Sequence, residues 1–190
     1  MIGKYFSETL SIYCGGIDNL YRHHDYTLSI LESIRPYPMA KFWLHCHHLT
    51  VNGKKMSKSR GNICYTDMLS AEGYSMEEIR FFLIYGHYRR QLNFSGKTMA
   101  SAVNRMREFR RLVKSIEDRA ASKRAAESDI SRKIKKVFSG DMDNDLHVDE
   151  AFDGMYDIIS GIDVPSLKQS EASGILKALR EIDEVLQVIF

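Results

Sequence analysis

From Val103 to Ile116 the apolar residues recur at spacings of three and four: Val103, Met106, Phe109, Leu112, Val113 and Ile116. That period sets them on one face of an α-helix, and Arg105, Arg110, Arg111 and Lys114 fall largely outside the stripe. The pattern returns at Val148, Ala151, Phe152, Met155, Tyr156 and Ile159, and again at Ile175, Leu179, Ile182, Leu186 and Ile189. Helices with one apolar face must bury those faces against each other, so the second part of the chain is predicted to be a helical bundle. A helix is also expected from Ile130 to Phe138. A polar, Ala-rich connection at 119–128 precedes it and a GDMDND loop follows it. Ser75 and Glu78 have capping-box spacing and predict a helix start at MEEIRFFLIYGHY. A short helix is predicted over 66–71, with Thr66 or Asp67 near its cap.

Residues 1–65 read differently. Residues 9–14 look like a short buried strand that ends at Gly15-Gly16. A helix from Tyr21 to Ser33 would bury Leu20, Leu28 and Leu31, and RPYP at 35–38 stops it, since proline cannot continue a helix. A second strand is predicted over KFWLHCHHLTV, residues 41–51, closed by an Asn52-Gly53 turn. Two strands and one long helix cannot bury a large core, so this α/β piece reads as part of a domain. The boundaries expected are 1–65 for this piece and 66–190 for the helical connection and bundle.

Charge is unevenly spread over the 190 residues. Residues 80–136 hold 16 basic and 5 acidic side chains, and residues 137–190 hold 3 basic and 12 acidic. A basic middle suits a polyanion, because lysine and arginine displace counterions from phosphates. It equally suits a basic helix packed against an acidic one, and both readings stay open. Cys14, Cys46 and Cys64 are odd in number and form no CxxC pair, which argues against a disulfide framework. An intracellular, reducing compartment and a cytoplasmic location are expected. No apolar run reaches the roughly 18 residues needed to span a bilayer, so no membrane partner is expected.

The stretch GKKMSKSRGN, residues 53–62, places Lys55 and Lys58 three apart on a loop with small serines. Such a loop can close on a triphosphate and neutralise the charge that builds in nucleotidyl transfer. Ser57, Ser59 and backbone N–H groups can add donors. A solvated turn anchored by Met56 is the alternative. Gly15 and Gly16 after a strand permit close approach of a ligand to the backbone, and Asp18 can bond a ribose or an amine. On a strand, His45 and His47 would share a face and His48 would take the other. No carboxylate neighbours them in sequence, and no Ser/His/Asp order, GxxxxGK[ST] or GxGxxG is present.

Together these stretches resemble class I aminoacyl-tRNA synthetases, and among them the cysteinyl-tRNA synthetases. KMSKS at 55–59 with Gly61-Asn62 resembles the family's ATP-contacting loop. CGGIDNLYRHHDYT at 14–27, FWLH at 42–45, HYRRQLNFS at 87–95 and the opening MIGKYFSETLSIY match in type and order. MDNDLHVDEAFDGMYDII resembles the family's bundle more weakly. The resemblance implies an α/β plus all-α fold: the C-terminal half of a class I synthetase Rossmann-type domain, then an α-helical bundle. It implies ATP as cofactor, contacted by Lys55, Met56, Ser57, Lys58, Ser59, Gly15, Gly16 and Asp18, with Lys58 and Lys55 as catalytic residues. It implies tRNA as partner, and the basic helix, with Arg105, Arg110, Arg111 and Lys114, would then track its phosphates.

The departures carry equal weight. No HIGH-type motif occurs, so the resemblance implies a truncated relative that begins partway through the catalytic domain. The anticodon-reading region is likewise not expected. The family's zinc, held by two Cys, one His and one Glu, would meet His23 and, in the Glu position, Thr27. A pocket histidine of the family falls at Tyr13. Zinc is therefore not expected, and no metal ligand is assigned. Three readings stay open: a non-catalytic binder of ATP or tRNA; one subunit of a split cysteine–tRNA ligase whose partner chain supplies the HIGH half; and a structural domain with a relic loop, which would suit a homodimer across an exposed sheet edge.

Overall fold

A computed structural model describes residues 5–6, 8–120 and 125–190. The opening residues 1–4 and 7, and residues 121–124 of the Ala-rich connection, lie outside the described residues, and so do the expectations that fall on them. The described residues form five short strands and seven α-helices.

Strand β1 (Leu10–Gly16) pairs in parallel with β2 (Ala40–Cys46), with Tyr13 opposite Trp43 and Gly15 opposite His45. The crossover between them is a π turn (Leu20–His24) running into α1 (Asp25–Ile34). Leu20, Leu28 and Leu31 are half-buried. The Met39 backbone N–H donates to Glu32 Oε1 at 2.8 Å, which fixes the return of the chain to the sheet.

The single strand predicted over 41–51 is two strands. The first ends at Cys46, and β3 is Thr50–Val51. The cause is a change of partner. His47 N–H donates to the Tyr88 carbonyl and Thr50 N–H to the Leu92 carbonyl, so the chain leaves β1 for residues 88–94. There β3 pairs in parallel with β5 (Asn93–Phe94) and antiparallel with β4 (Lys54–Lys55). Asn52 and Gly53 both adopt positive φ, at 50° and 72°, as the tight hairpin turn between β3 and β4 requires.

The helices follow as α2 (Thr66–Ala71), α3 (Met76–Ile84), α4 (Gly96–Arg119), α5 (Asp129–Asp143), α6 (Val148–Ser160) and α7 (Gln169–Leu186). The Ser75–Glu78 capping box forms. Tyr65, with no side-chain cap, starts α2 in place of Thr66 or Asp67. Helix α5 runs through most of the predicted GDMDND loop and ends only where Asp145 and Leu146 turn left-handed, at φ 59° and 61°. Residue propensity is a weak prior that tertiary packing overrides. At the other end, α7 stops before Ile189. Asp183 accepts from the N–H groups of Val188 and Ile189, which folds the tail back and buries Ile189.

The bundle core is aromatic at its centre. Phe109 of α4 packs on Phe152 of α6 with ring centroids 4.6 Å apart, and Phe81 of α3 meets the same ring at 4.6 Å. Met99, Met106, Ile116, Met155, Ile175 and Leu179 are fully buried around them. None of the helices among the described residues is long and apolar enough to cross a membrane.

Candidate nucleotide site

Strands β1 and β2 end together, at Gly16 and Cys46. The carboxyl ends of parallel strands are where open α/β sheets bind ligands. A Cβ on Gly15 would lie 2.2 Å from Cε1 of His24, so glycine stands here to admit that ring. The space beside Gly15 is thus filled by the protein's own side chain. A Cβ on Gly16 would lie 2.7 Å from Asp18 Oδ1. Asp18 Oδ2 sits 3.0 Å from His48 Nε2, at ion-pair distance but without hydrogen-bond geometry.

Behind this turn lies a pair not foreseen from sequence. His24 Nδ1 is 2.8 Å from His45 Nε2. Tyr13 and Trp43 flank His24, with centroids 4.7 and 5.8 Å away. Burial, then the neighbouring His45 and His23, push the His24 basicity below its ordinary value. Across such a contact one ring donates its N–H and the other accepts. The expected sharing of a face by His45 and His47 does not occur, because β2 ends at Cys46. Sequence gave one usable signal for the pair, the alternation that sets Trp43 and His45 on one face of β2.

The lysine loop leaves β4 at Lys55 and closes with a 3-10 turn, Lys58–Arg60, capped by left-handed Gly61. Asn62 organises it. Its Oδ1 accepts from Ser57 N–H at 3.0 Å, and its Nδ2 donates to the Lys55 carbonyl at 3.2 Å. The Met56 sulfur accepts from Cys64 N–H at 3.5 Å and anchors the centre. The hydroxyls of Ser57 and Ser59 stand 3.4 Å apart. Lys54, Lys55, Lys58 and Arg60 are exposed, and none belongs to an ion pair among the described residues. Asn93 holds the preceding hairpin, accepting from Gly53 N–H at 2.7 Å and Thr50 Oγ1 at 2.9 Å. The roles of Asn62 and Asn93 depend on backbone groups that only the fold brings to them. The strand-end residues Gly15 to Asp18 and the loop residues Lys55 to Ser59 share no hydrogen bond or ion pair among the described residues; the chain joins them through His47, His48 and β3.

The basic helix meets the acidic tail. Arg105 Nη2 pairs with Asp153 at 2.8 Å and its guanidinium lies 3.4 Å over the Tyr156 ring. Arg110 donates to the carbonyls of Val188 and Phe190. Lys114 pairs with Glu117 and Asp118 on its own helix. Arg111 is exposed and makes no ion pair among the described residues. Much of the positive charge of α4 therefore has an internal partner.

The zinc implied by the resemblance does not fit these residues. The Thr27 hydroxyl donates to the His23 carbonyl at 2.7 Å, His24 is taken up by His45, and no group of three or more His, Cys, Asp or Glu converges among the described residues.

The family described as "tRNA synthetases class I (C) catalytic domain" matches residues 1–104. A cysteine–tRNA ligase of Chlamydia muridarum is 34% identical over 96% of this chain and 42% of its own length. A cysteine–tRNA ligase of Solibacter usitatus is 33% identical over 98% of this chain and 41% of its own. The chain thus spans about two fifths of these relatives, 42% and 41%. Among solved structures, the LeuRS–tRNA–LeuAMS ternary complex of Agrobacterium radiobacter agnB2 superposes with a TM-score of 0.74 at 17% identity, over 94% of this chain and 26% of that one. At that identity the likeness is one of fold, and the fold is that of a class I synthetase: mixed α/β with a helical part.

Proposed function

The chain belongs to the class I (C) tRNA synthetase catalytic-domain family, and from that premise we propose that it is a cysteinyl-tRNA synthetase-type unit whose lysine loop binds the triphosphate of ATP. The observation that carries this reading is the loop itself. Four exposed cations, Lys54, Lys55, Lys58 and Arg60, stand without a carboxylate partner among the described residues on a backbone held by Asn62. Lys55 and Lys58 take the phosphate charge, Lys58 facing the leaving pyrophosphate in a catalytic assembly. Ser57, Ser59 and the loop N–H groups add donors, and Met56 holds the loop down. Gly16 and Asp18 at the strand ends take the ribose side, with Gly15 shaping the turn. Arg111, supported by the field of Arg105, Arg110 and Lys114, offers tRNA phosphates a contact.

Ligation of cysteine to tRNA is the activity these relatives are named for. We assign this chain a share in it only together with a HIGH-type half. A partner chain that supplies that half is the second reading. Exposed Ile12 and Phe42 favour it, since a parallel sheet is ordinarily covered on both faces.

Calorimetric titration of ATP into the purified chain tests the first reading. Lys58→Ala is expected to weaken binding about 10-fold or more, the worth of a hydrogen bond to a charged group. Absence of ATP binding by the unaltered chain, alone and with tRNA, would overturn it.

A further inference from the structure

We propose that Asn93 is a positioning residue for phosphate binding by the lysine loop, and that its lack of charge matters as much as the bonds it makes. The inference rests on the reading that the loop binds ATP. Asn93 stands outside the loop, in β5, 40 positions after Gly53. Its Oδ1 accepts from Gly53 N–H at 2.7 Å and from Thr50 Oγ1 at 2.9 Å. A backbone N–H can only donate, which identifies the atom facing Gly53 as the oxygen. Gly53 is the second residue of the turn that leads into Lys54 and Lys55. Among the described residues no other side chain bonds that turn. Backbone bonds from Thr50 to the Leu92 carbonyl and from Asn52 to the Phe94 carbonyl hold β3 to the same segment. The segment is itself fixed to α4. Thr98 Oγ1, in the capping box with Ser95, donates to the Asn93 carbonyl at 2.9 Å. The loop therefore starts from a turn mounted on the first turn of a 24-residue helix, and a rigid mount holds a binding geometry better than a free loop does.

Both side-chain bonds are accepted by Asn93. Its amide nitrogen makes no hydrogen bond among the described residues. An aspartate would accept the same two bonds, and its charge would strengthen them. It would also add a carboxylate at the base of a loop where Lys54, Lys55, Lys58 and Arg60 have no acidic partner among the described residues. That charge would offset the cations and oppose an incoming polyphosphate. Holding the turn calls for an accepting oxygen of either kind. Binding phosphate calls for the neutral one.

Amide hydrogen exchange of the ligand-free chain and calorimetric titration with ATP test this together, with urea unfolding as the check that each variant is folded. Asn93→Ala is expected to speed exchange at Gly53 and to weaken ATP binding about 3- to 10-fold, equally at low and high salt, through the two lost bonds. Asn93→Asp is expected to keep the protection of Gly53 and the stability of the unaltered chain. It should still weaken ATP binding about 3-fold or more at low salt, with the loss shrinking as salt screens the added charge. Asn93→Asp that binds ATP as tightly as the unaltered chain at low salt would overturn the proposal, as would loss of Gly53 protection in that variant. Failure of the unaltered chain to bind ATP would sink the ATP reading instead. The exchange arm reads out separately: a Gly53 amide as protected in Asn93→Ala as in the unaltered chain overturns the positioning role in either case.

Discussion

His24 Nδ1 lies 2.8 Å from His45 Nε2, across the crossover that separates the two residues by 21 positions. The contact joins the π turn to the end of β2 and fixes the floor beneath Gly15. Because burial lowers the basicity of His24, the folded chain holds this ring neutral more firmly than the unfolded chain does. The sign follows. Between the folded and unfolded values the unfolded state binds more protons, so stability rises with pH. The contribution is complete above the unfolded value of 6.5 and is lost as pH falls from there toward the lower folded value. Urea unfolding midpoints are expected to drop between neutral pH and pH near 5, and a His24→Gln variant should show a shallower dependence. Parallel curves for the two proteins would refute this.

Gly15 makes room for that ring. The Gly15→Ala change brings a methyl to 2.2 Å from His24 Cε1. Overpacking of this kind costs about 1–3 kcal/mol. The penalty should shrink when His24→Ala is added, since the clash is with that side chain. A double-mutant cycle in urea measures the coupling, and strict additivity would show that the strain lies elsewhere.

Asn62 shapes the lysine loop without carrying charge. Asn62→Ala removes both bonds, to Ser57 N–H and to the Lys55 carbonyl. Weaker ATP binding, by about 3- to 10-fold, is expected with little change in global stability, since neutral hydrogen bonds are worth about 0.5–1.5 kcal/mol each. Calorimetry beside thermal unfolding separates the two. A large loss of stability with unchanged affinity would place Asn62 in the scaffold alone.

In the bundle, Tyr85 donates to both carboxylate oxygens of Asp153, at 2.9 and 3.0 Å. Burial first, and then Asp153, push its phenol up to about 12. A raised tyrosine value favours the neutral form in the folded state. Its contribution is present below the unfolded value of 10.0 and is lost as pH rises through about 12. Tyr88 and Tyr156 are also pushed up, so ultraviolet titration should show a late-ionising component that is smaller by one tyrosine in Tyr85→Phe. Identical titrations would exclude the assignment.

Much of this protein was legible in the sequence, and the reasons are local. The spacing of Val103, Met106, Phe109, Val113 and Ile116 fixes a helix face, because a helix repeats every 3.6 residues whatever surrounds it. Asn52-Gly53 fixes a hairpin turn, because both residues tolerate positive φ. Ser75 and Glu78 fix a helix start by bonding each other's backbone. Tertiary structure alone decided the rest. The break between β2 and β3 depends on the Tyr88 and Leu92 carbonyls, some 40 positions away (41 and 42), and nothing within 41–51 reports it. Helix α5 runs on to Asp143 and stops only where Asp145 and Leu146 turn left-handed. The charge of α4 could have gone to phosphate or to protein, and Asp153 and the carbonyls of Val188 and Phe190 claim Arg105 and Arg110. His24 met His45 for the same reason: the sequence supplies the groups and their period, but distant pairs form only when the packed chain removes them from water and leaves each other as partners.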